Sequence, residues 1–431
     1  MKRLLSLAIA TALSSTVMST SVLAENIAIV GGKVITQTKQ GTLESGTVLI
    51  KDGAIEKVSS GTDVPSGYTK VDASGKVVTP GFVGALTSLG LVEVASWAGE
   101  VDSSASSTKV STTGAALDVT YAINPDSTLI DVSRIEGVTS AATTIANTDL
   151  MFHGQGAVIG LDDDADILKD KAFMVVNMDG ASADSHGGSR AVLWVTLEAL
   201  IDEVASTKKI PSLTSGWDGM NARADIKALK GVLKGDIPLF IEADRAADIR
   251  QVLAFKKRHP DIRIVLLHGV EAWRVADQLA KANIPVILDP QLNLPGNFEQ
   301  LGATLHNAER LEKAGVKVAI GMETHNIRLA AQHAGNAVAN GLSYEGGIAS
   351  LTSVPAMILG VDDQVGSLAP GKRADVVIWS GDPLEVTEAA EQVYIEGEAI
   401  EMSSRQTKLR DRYMALKDVS AGKTSHYVKP Q

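Results

Sequence analysis

The sequence predicts an α/β protein: a (β/α)8 TIM-like barrel joined to a small β-sandwich domain that is assembled from both termini. Through the middle of the chain, short apolar strands alternate with amphipathic helices in repeats of roughly 25 residues, which is typical of such a barrel. Both ends read instead as short strands separated by glycine turns. A doubly wound open sheet is the alternative, but no glycine-rich phosphate loop follows any predicted strand.

The first 24 residues have the features of a signal peptide. Two basic residues, Lys2 and Arg3, precede an apolar run over residues 4–22, and the small-residue pattern ending at Ala24 predicts cleavage between Ala24 and Glu25. The run is short for an uncleaved membrane anchor. We therefore expect secretion through the inner membrane into the periplasm, with no stable membrane insertion after cleavage.

The rest of the sequence divides into three predicted parts. Residues 25–78 and 366–400 form the composite β-sandwich domain, residues 79–365 form the barrel, and residues 401–431 form a charged helix with a polar tail. The clearest predicted barrel strands cover residues 137–145, 173–180, 237–244, 262–268, 284–289 and 316–323.

Composition narrows the possible partners and cofactors. The chain has 51 Asp and Glu against 40 Lys and Arg, a formal charge of −11, and loss of Lys2 and Arg3 with the leader leaves 38 basic against 51 acidic residues, or −13. This charge argues against nucleic acid or an anionic membrane as a partner. Because the chain has no Cys, disulfides, thiolate metal ligands and a Cys nucleophile are excluded.

Both ends of the mature chain carry recognisable motifs. The segments "IAIVGGKVIT…GTVLIKDGAIEKV…VDASGKVVTPGFV" and "ILGVDDQVGSLAPGKRADVVIWSGDPLE…QVYIEGE" resemble the amidohydrolase superfamily, and within it the imidazolonepropionase-like branch. The resemblance implies a metal-dependent hydrolase that uses a metal-activated hydroxide on amide, cyclic amide or other C–N bonds. It also implies a small-molecule substrate and a homodimer.

The first barrel strand lacks the metal-binding motif of that family. Family members carry His-x-His after the proline-glycine turn, and a spacing of two places both imidazoles on one face of a strand. The corresponding positions here hold Leu86 and Ser88. A Leu side chain cannot bind a metal, and a Ser hydroxyl is a poor zinc ligand.

Ionisable residues nevertheless gather at the predicted ends of the fifth, sixth and eighth strands. If they converge at the barrel mouth, they could hold one divalent ion, and their oxygen ligands would favour Mn²⁺, Mg²⁺ or Ca²⁺ over Zn²⁺. By the resemblance, Glu323 is a ligand or the general base, and His268 is a ligand or stabilises the oxyanion. The tentative metal ligands are Glu242, Asp244, His268, Glu323 and His325.

Two interpretations of this cluster stay open. In the first, the chain is a hydrolase with a carboxylate-rich metal site. In the second, the metal has been lost, the carboxylates pair with neighbours such as Arg245 and Arg328, and the barrel is a non-catalytic binding or scaffold module.

Other candidates are weaker. On the fourth strand, Asn177 and Asp179 occupy the region where some relatives bridge two metals, while His153 and His186 lie in glycine-rich segments that we interpret as loops. Two long loops, residues 122–128 and 288–302, are expected to line or cover the mouth. No Gly-x-Ser-x-Gly elbow or Ser-x-x-Lys pair supports a covalent serine mechanism.

Overall fold

The structure, a computed structural model, describes residues 26–93, 102–212, 214–322 and 324–419. The predicted cleavage between Ala24 and Glu25 lies outside these residues. The strands are β1 (Ile27–Ile35), β2 (Thr42–Lys51), β3 (Ala54–Ser60), β4 (Thr69–Asp72), β5 (Val77–Pro80), β6 (Phe82–Thr87), β7 (Ser104–Ala105), β8 (Val138–Thr143), β9 (Asn147–Thr148), β10 (Phe152–Gly160), β11 (Ile167–Asn177), β12 (Leu239–Ala243), β13 (Ile264–His268), β14 (Val286–Ile287), β15 (Val318–Ala319), β16 (Val376–Trp379), β17 (Ala390–Ile395) and β18 (Glu398–Ala399).

The helices lie mainly between the later barrel strands and after the barrel. Within the described ranges, none of them is both long enough and apolar enough to span a bilayer. They are α1 (Thr128–Arg134), α2 (Gly180–Ser185), α3 (Arg190–Ser206), α4 (Arg223–Leu233), α5 (Ala246–Arg258), α6 (Ala276–Lys281), α7 (Asn307–Lys313), α8 (Ala330–Ala339), α9 (Tyr344–Leu351), α10 (Ser353–Leu359) and α11 (Arg405–Val419), with short 3-10 turns at Val119–Tyr121, Ala272–Val275 and Ile327–Leu329.

One sheet combines strands from both ends of the described chain. Its order is β18-β17-β16-β5-β1-β2-β3, with β4 also paired to β1. The two halves meet where β5 and β16 run antiparallel, with Thr79 opposite Val377. Ile29, Val48 and Val376 are buried in the core of this sheet. The predicted extra β domain is therefore confirmed.

The second sheet is a nearly closed barrel of eight strands. Its order is β6-β8-β10-β11-β12-β13-β14-β15. The first and last strands approach each other through a bridge between Leu86 and Met322, and the Gly321 carbonyl accepts hydrogen bonds from the amides of Ala85 (2.9 Å) and Leu86 (3.2 Å). The predicted TIM-like barrel is confirmed.

Strand β10 departs from the simple (β/α)8 pattern. It pairs antiparallel with both β8 and β11, and residues 161–166 join β10 to β11 as a hairpin. Glycine allows this close pairing: a Cβ on Gly156 would lie 2.3 Å from the ring of Phe173. Because β10 runs against its neighbours, its amino end, at Phe152 and His153, lies where the other strands have their carboxyl ends.

The inner face of the barrel follows the two-residue period of its strands. Val175, Phe240, Leu267 and Ile287 belong to one buried cluster inside the barrel, and the rings of Phe173 and Phe240 stack with their centroids 4.6 Å apart. A residue two positions beyond the last buried one points the same way, toward the mouth. On β12 this residue is Glu242, and after β14 it is Asp289.

Candidate active site

A cavity of about 380 Å³ lies at the barrel mouth, where the carboxyl ends of the parallel strands meet the amino end of β10. TIM-barrel active sites lie at this face. It is lined by Leu86, Thr87, Ser88, Thr144, Ile145, Ala146, His153, Val175, Glu242, Leu267, His268, Asp289, Leu292, Met322 and Thr324.

A larger cavity, of about 550 Å³, lies at the opposite end of the barrel, around the residues that precede β12 to β15. Lys256, Arg263 and Lys317 line it together with apolar residues, and the lining includes no His, Asp or Glu. It therefore lacks the general acid and base groups that hydrolysis needs, and the mouth cavity is the candidate active site.

Glu242 and His268 come together in the mouth cavity. The His268 Nε2 atom is 3.5 Å from the Glu242 Oε1 atom, and both side chains are partly buried. His268 is paired with Ala243 in the sheet, so a regular strand would turn its ring away from Glu242. Its φ of +62° ends the strand in the left-handed region, where His occurs more often than most residues. The sequence predicted both residues at this face.

Glu242 occupies an environment that disfavours its charged form. Burial raises the pKa of its carboxyl group, and only His268 opposes this shift. The charges of Asp179, Asp244 and Glu299 raise the pKa further. A carboxylate of raised pKa accepts a proton from water more readily than one with the ordinary pKa.

His153 also lines the cavity, although the sequence analysis placed it in a loop. Its Nδ1 atom is 3.1 Å from the Ile145 carbonyl oxygen. Burial lowers the pKa of its imidazole, more than this hydrogen bond and the charge of Asp179 raise it, so the neutral ring is favoured. The segment "FHGQGAVIG" forms β10, and its first residues reach the mouth because β10 runs antiparallel to its neighbours. The repeating strand–helix pattern of the sequence does not predict an antiparallel strand.

Asp289 brings a second carboxylate to the cavity. Its Oδ1 atom lies 3.9 Å from His333 Nδ1 on α8 and accepts a hydrogen bond from the amide of Gln291 (2.8 Å). The predicted strand over residues 284–289 ends at Asp289, but the sequence predicted no role for this residue. Its position could have been predicted, because Asp289 follows the buried Ile287 by two residues and so lies on the same face of the strand.

Positions 86 and 88 lie at the mouth, where the resemblance places two imidazoles. Leu86 contributes an apolar wall. Ser88 forms hydrogen bonds inside the protein. Its hydroxyl donates to the Thr144 carbonyl oxygen (2.6 Å), and its amide donates to the Thr324 hydroxyl (2.7 Å).

Of the other three predicted ligands, Asp244 and His325 are described by the structure, and neither lines this cavity. Asp244 accepts hydrogen bonds from the Val270 amide (3.2 Å) and from Gln300 Nε2 (2.9 Å), so it connects two loops. His325 is not among the described lining residues, and its carbonyl oxygen accepts a hydrogen bond from Arg328 (3.4 Å). Glu323 lies outside the described residues.

Comparisons with known proteins agree with this fold. Residues 245–405 match the family model described as "Amidohydrolase family". The solved amidohydrolase from Thermotoga maritima MSB8 superposes with a TM-score of 0.76 at 26% identity, over 87% of this chain and 99% of that chain. The chain belongs to the amidohydrolase superfamily. The narrower imidazolonepropionase-like branch stays a prediction.

Two curated relatives match this amidohydrolase over short segments. The amidohydrolase tasK of Hapsidospora irregularis is 44% identical over 59 residues, and the dihydroorotase of Geobacter metallireducens is 41% identical over 58 residues. Each segment is 14% of this chain, but it spans 6% of the first relative and 13% of the second. Both matches therefore cover only a small part of either relative.

The described side chains do not provide the three or four protein ligands that usually hold a metal ion. A protein-bound zinc ion has three or four protein ligands. Of the five predicted ligands, Glu242 and His268 meet, and the described ranges contain no group of three or more His, Asp or Glu that could hold an ion. The metal site of this amidohydrolase stays a prediction, and no catalytic step is derived through it.

The remaining candidates have structural contacts. Arg245, considered as a partner for the site carboxylates, instead pairs with Asp248 through two hydrogen bonds of 2.8 and 2.9 Å. Asp179 caps α2 by accepting from the Ser182 amide (2.7 Å), and the His186 Nδ1 atom lies 2.9 Å from the Ser182 carbonyl oxygen.

The two long loops differ in their relation to the cavity. Residues 288–302 contribute Asp289 and Leu292 to its lining, as expected of a loop at the mouth. No residue of 122–128 is among the described lining residues, and Ser127 donates its hydroxyl to the Val92 carbonyl oxygen (2.9 Å).

Proposed function

We propose that this amidohydrolase cleaves a C–N bond other than an ordinary peptide bond, in a small cyclic amide or peptide-like substrate. The observation that carries the proposal is the Glu242–His268 pair, a carboxylate of raised pKa beside an imidazole in the mouth cavity. The family membership and the relatives named for C–N hydrolysis support it.

In the proposed reaction, Glu242 acts as the general base. A water oxygen forms a bond with the carbonyl carbon while its proton passes to Glu242. His268, 3.5 Å from Glu242, stabilises the oxygen that becomes negative and relays a proton to the leaving nitrogen. The C–N bond then breaks, and the amine leaves with that proton.

Replacing Glu242 by Gln tests this assignment. Gln keeps the size of the side chain but cannot accept the proton, so we expect Glu242→Gln to lower kcat by about 10²–10⁴-fold on any amide that the wild type hydrolyses. Turnover is measured on a panel of small amides, lactams and dipeptides, and Asp126→Asn, an exposed carboxylate outside the cavity, is the control.

Two outcomes contradict the proposal: no turnover by the wild type on the whole panel, or unchanged turnover in Glu242→Gln. Metal content and the effect of EDTA are measured on the same preparation, because they test the predicted divalent ion separately from the roles of Glu242 and His268.

We also propose that the protein is exported to the periplasm. The leader composition of residues 1–24 supports this location. A mass corresponding to a chain that starts at Glu25, measured on protein from the periplasmic fraction, is the expected result. A full-length chain in the cytoplasm contradicts the proposal.

A further inference from the structure

The described walls of the mouth cavity carry carboxylates but no Lys or Arg. Glu242 and Asp289 are its carboxylates, and among the described lining residues there is no Lys or Arg. The other polar lining residues are neutral hydroxyls and two imidazoles. A substrate carboxylate would therefore enter this cavity without a counter-charge, and burying an unpaired charge is costly.

The imidazole of His333 lies 3.9 Å from Asp289, and two arginines that follow β11 and β12 are paired with carboxylates outside the cavity lining. Arg190 pairs with both Asp248 (3.1 Å) and Glu299, and Arg245 pairs with Asp248. They therefore do not offset Glu242 and Asp289. A cleft lined by charge of one sign attracts ligands of the opposite sign.

A second observation points to a ligand in the same cavity. Thr144 lines it and is 4% exposed, and its hydroxyl oxygen has no hydrogen-bond partner among the described residues. Buried hydroxyls are normally hydrogen-bonded, so this one requires an explanation. A Thr oxygen can accept an N–H hydrogen bond, and an ammonium group has donors but no acceptor.

We propose that the cavity selects a substrate with a protonated nitrogen, an amine or an amidine, beside the scissile C–N bond. Asp289 binds this positive group, the Thr144 hydroxyl accepts one of its N–H bonds, and Glu242 and His268 remain available for the attacking water. The volume of about 380 Å³ suits a small molecule. This inference rests on the proposed function, because the same cavity holds the scissile bond.

Matched amides that differ in one charge test the inference. The probes are 3-aminopyrrolidin-2-one, 3-methylpyrrolidin-2-one and 2-oxopyrrolidine-3-carboxylate among lactams, and β-alaninamide, butyramide and succinamate among open-chain amides. Calorimetry measures binding, and turnover is measured separately. We expect the cationic member of each series to bind at least about tenfold more tightly than the neutral member, as for a hydrogen bond between charged groups, and the anionic member to bind most weakly.

Variants at Asp289 assign the preference to this residue. Asp289→Asn should reduce the cation-to-neutral binding ratio by about tenfold or more, while Asp289→Glu, which keeps the charge, should retain most of it. Asp126→Asn, outside the cavity, should leave the ratio unchanged. Circular dichroism of each variant checks that it folds.

Three results would overturn the inference: equal or tighter binding of the carboxylate member, an unchanged ratio in Asp289→Asn, or displacement of the cationic amide by Mn²⁺ alone. If the cationic preference is present but no probe is hydrolysed, the binding inference holds and the proposed function fails.

Discussion

The carboxyl group of Glu242 is at the mouth because of the spacing of residues along one strand. Phe240 is buried inside the barrel, and Glu242 follows it by two positions on the same face. The same burial that brings Glu242 to the cavity disfavours its charge, so its contribution to activity and its contribution to stability oppose each other.

We predict that Glu242→Gln is more stable than the wild type at neutral pH. The folded-state pKa of Glu242 is raised by burial, so the protonated form favours folding and this contribution is lost as pH rises through that pKa. Gln keeps the neutral form at every pH. The gain should disappear below about pH 4.5, where the unfolded-state carboxyl is protonated as well.

Urea unfolding at several pH values measures this difference. Glu44→Gln is the control, because the Glu44 side chain is 83% exposed and should show little change at any pH. A Glu242→Gln variant that is less stable than the wild type at neutral pH contradicts the prediction.

At the scale of elements, the regular repeats were predictable and the irregular strand was not. Apolar strands followed by amphipathic helices indicated β12, β13 and β14 and their order, and local hydrophobic periodicity was sufficient for this. Strand β10 was missed because its glycines resemble a loop, and its direction depends on pairing with β8 and β11 across the barrel. His153 was therefore assigned to a loop.

Some contacts of the candidate site residues could be predicted from the sequence, and others could not. Glu242 and His268 could be predicted from the ends of predicted strands. The contacts of Asp244 could not be predicted from the sequence. Its partner Gln300 lies 56 residues further along the chain, in a loop without a recognisable motif.

Asp244 holds together the loops that follow β13 and β14. Its two oxygens accept from the Val270 amide and from Gln300. We predict that Asp244→Ala frees both loops, with amide hydrogen exchange over residues 291–302 accelerated by about tenfold, since at least one hydrogen bond to a charged group is lost. Gln300→Ala should accelerate exchange over the same residues.

The comparison of these two variants separates loop positioning from metal binding. Loss of bound metal in Asp244→Ala but not in Gln300→Ala, with exchange unchanged in both, would support Asp244 as a metal ligand and contradict the loop role.

At the scale of the whole molecule, a partly buried ion pair joins the barrel to the β domain. Arg373, 10% exposed at its side chain, contacts Asp162 after β10 (2.6 Å) and Asp375 before β16 (3.0 Å). Burial alone would raise the pKa of Asp162, but the Asp166 amide and the Arg373 guanidinium lower it more, and the net shift is downward.

We predict that Asp162→Asn lowers the free energy of unfolding by about 2–3 kcal/mol at neutral pH, the value of a hydrogen bond between charged groups. Because the folded-state pKa is lowered, the wild-type advantage is full above the unfolded-state pKa of about 4 and is lost as pH falls through the folded-state pKa. Urea unfolding between pH 7 and pH 3 measures it.

The neighbouring Asp163, whose side chain is 90% exposed, provides the matched control. Asp163→Asn removes an exposed partner of Arg134 and should cost less than about 1 kcal/mol. Equal effects of the two variants would contradict a special role for the Asp162–Arg373 pair.

The pairing of β5 with β16 has a consequence for how the protein is made on the ribosome. The paired residues Pro80 and Val376 are separated by about 300 residues of chain. At about 5–20 residues per second, β5 waits roughly 15–60 s for its partner strand to be translated. During this time β5 presents an unpaired edge, which is a site for aggregation. Completion of the β domain therefore depends on strands that are translated only after the whole barrel.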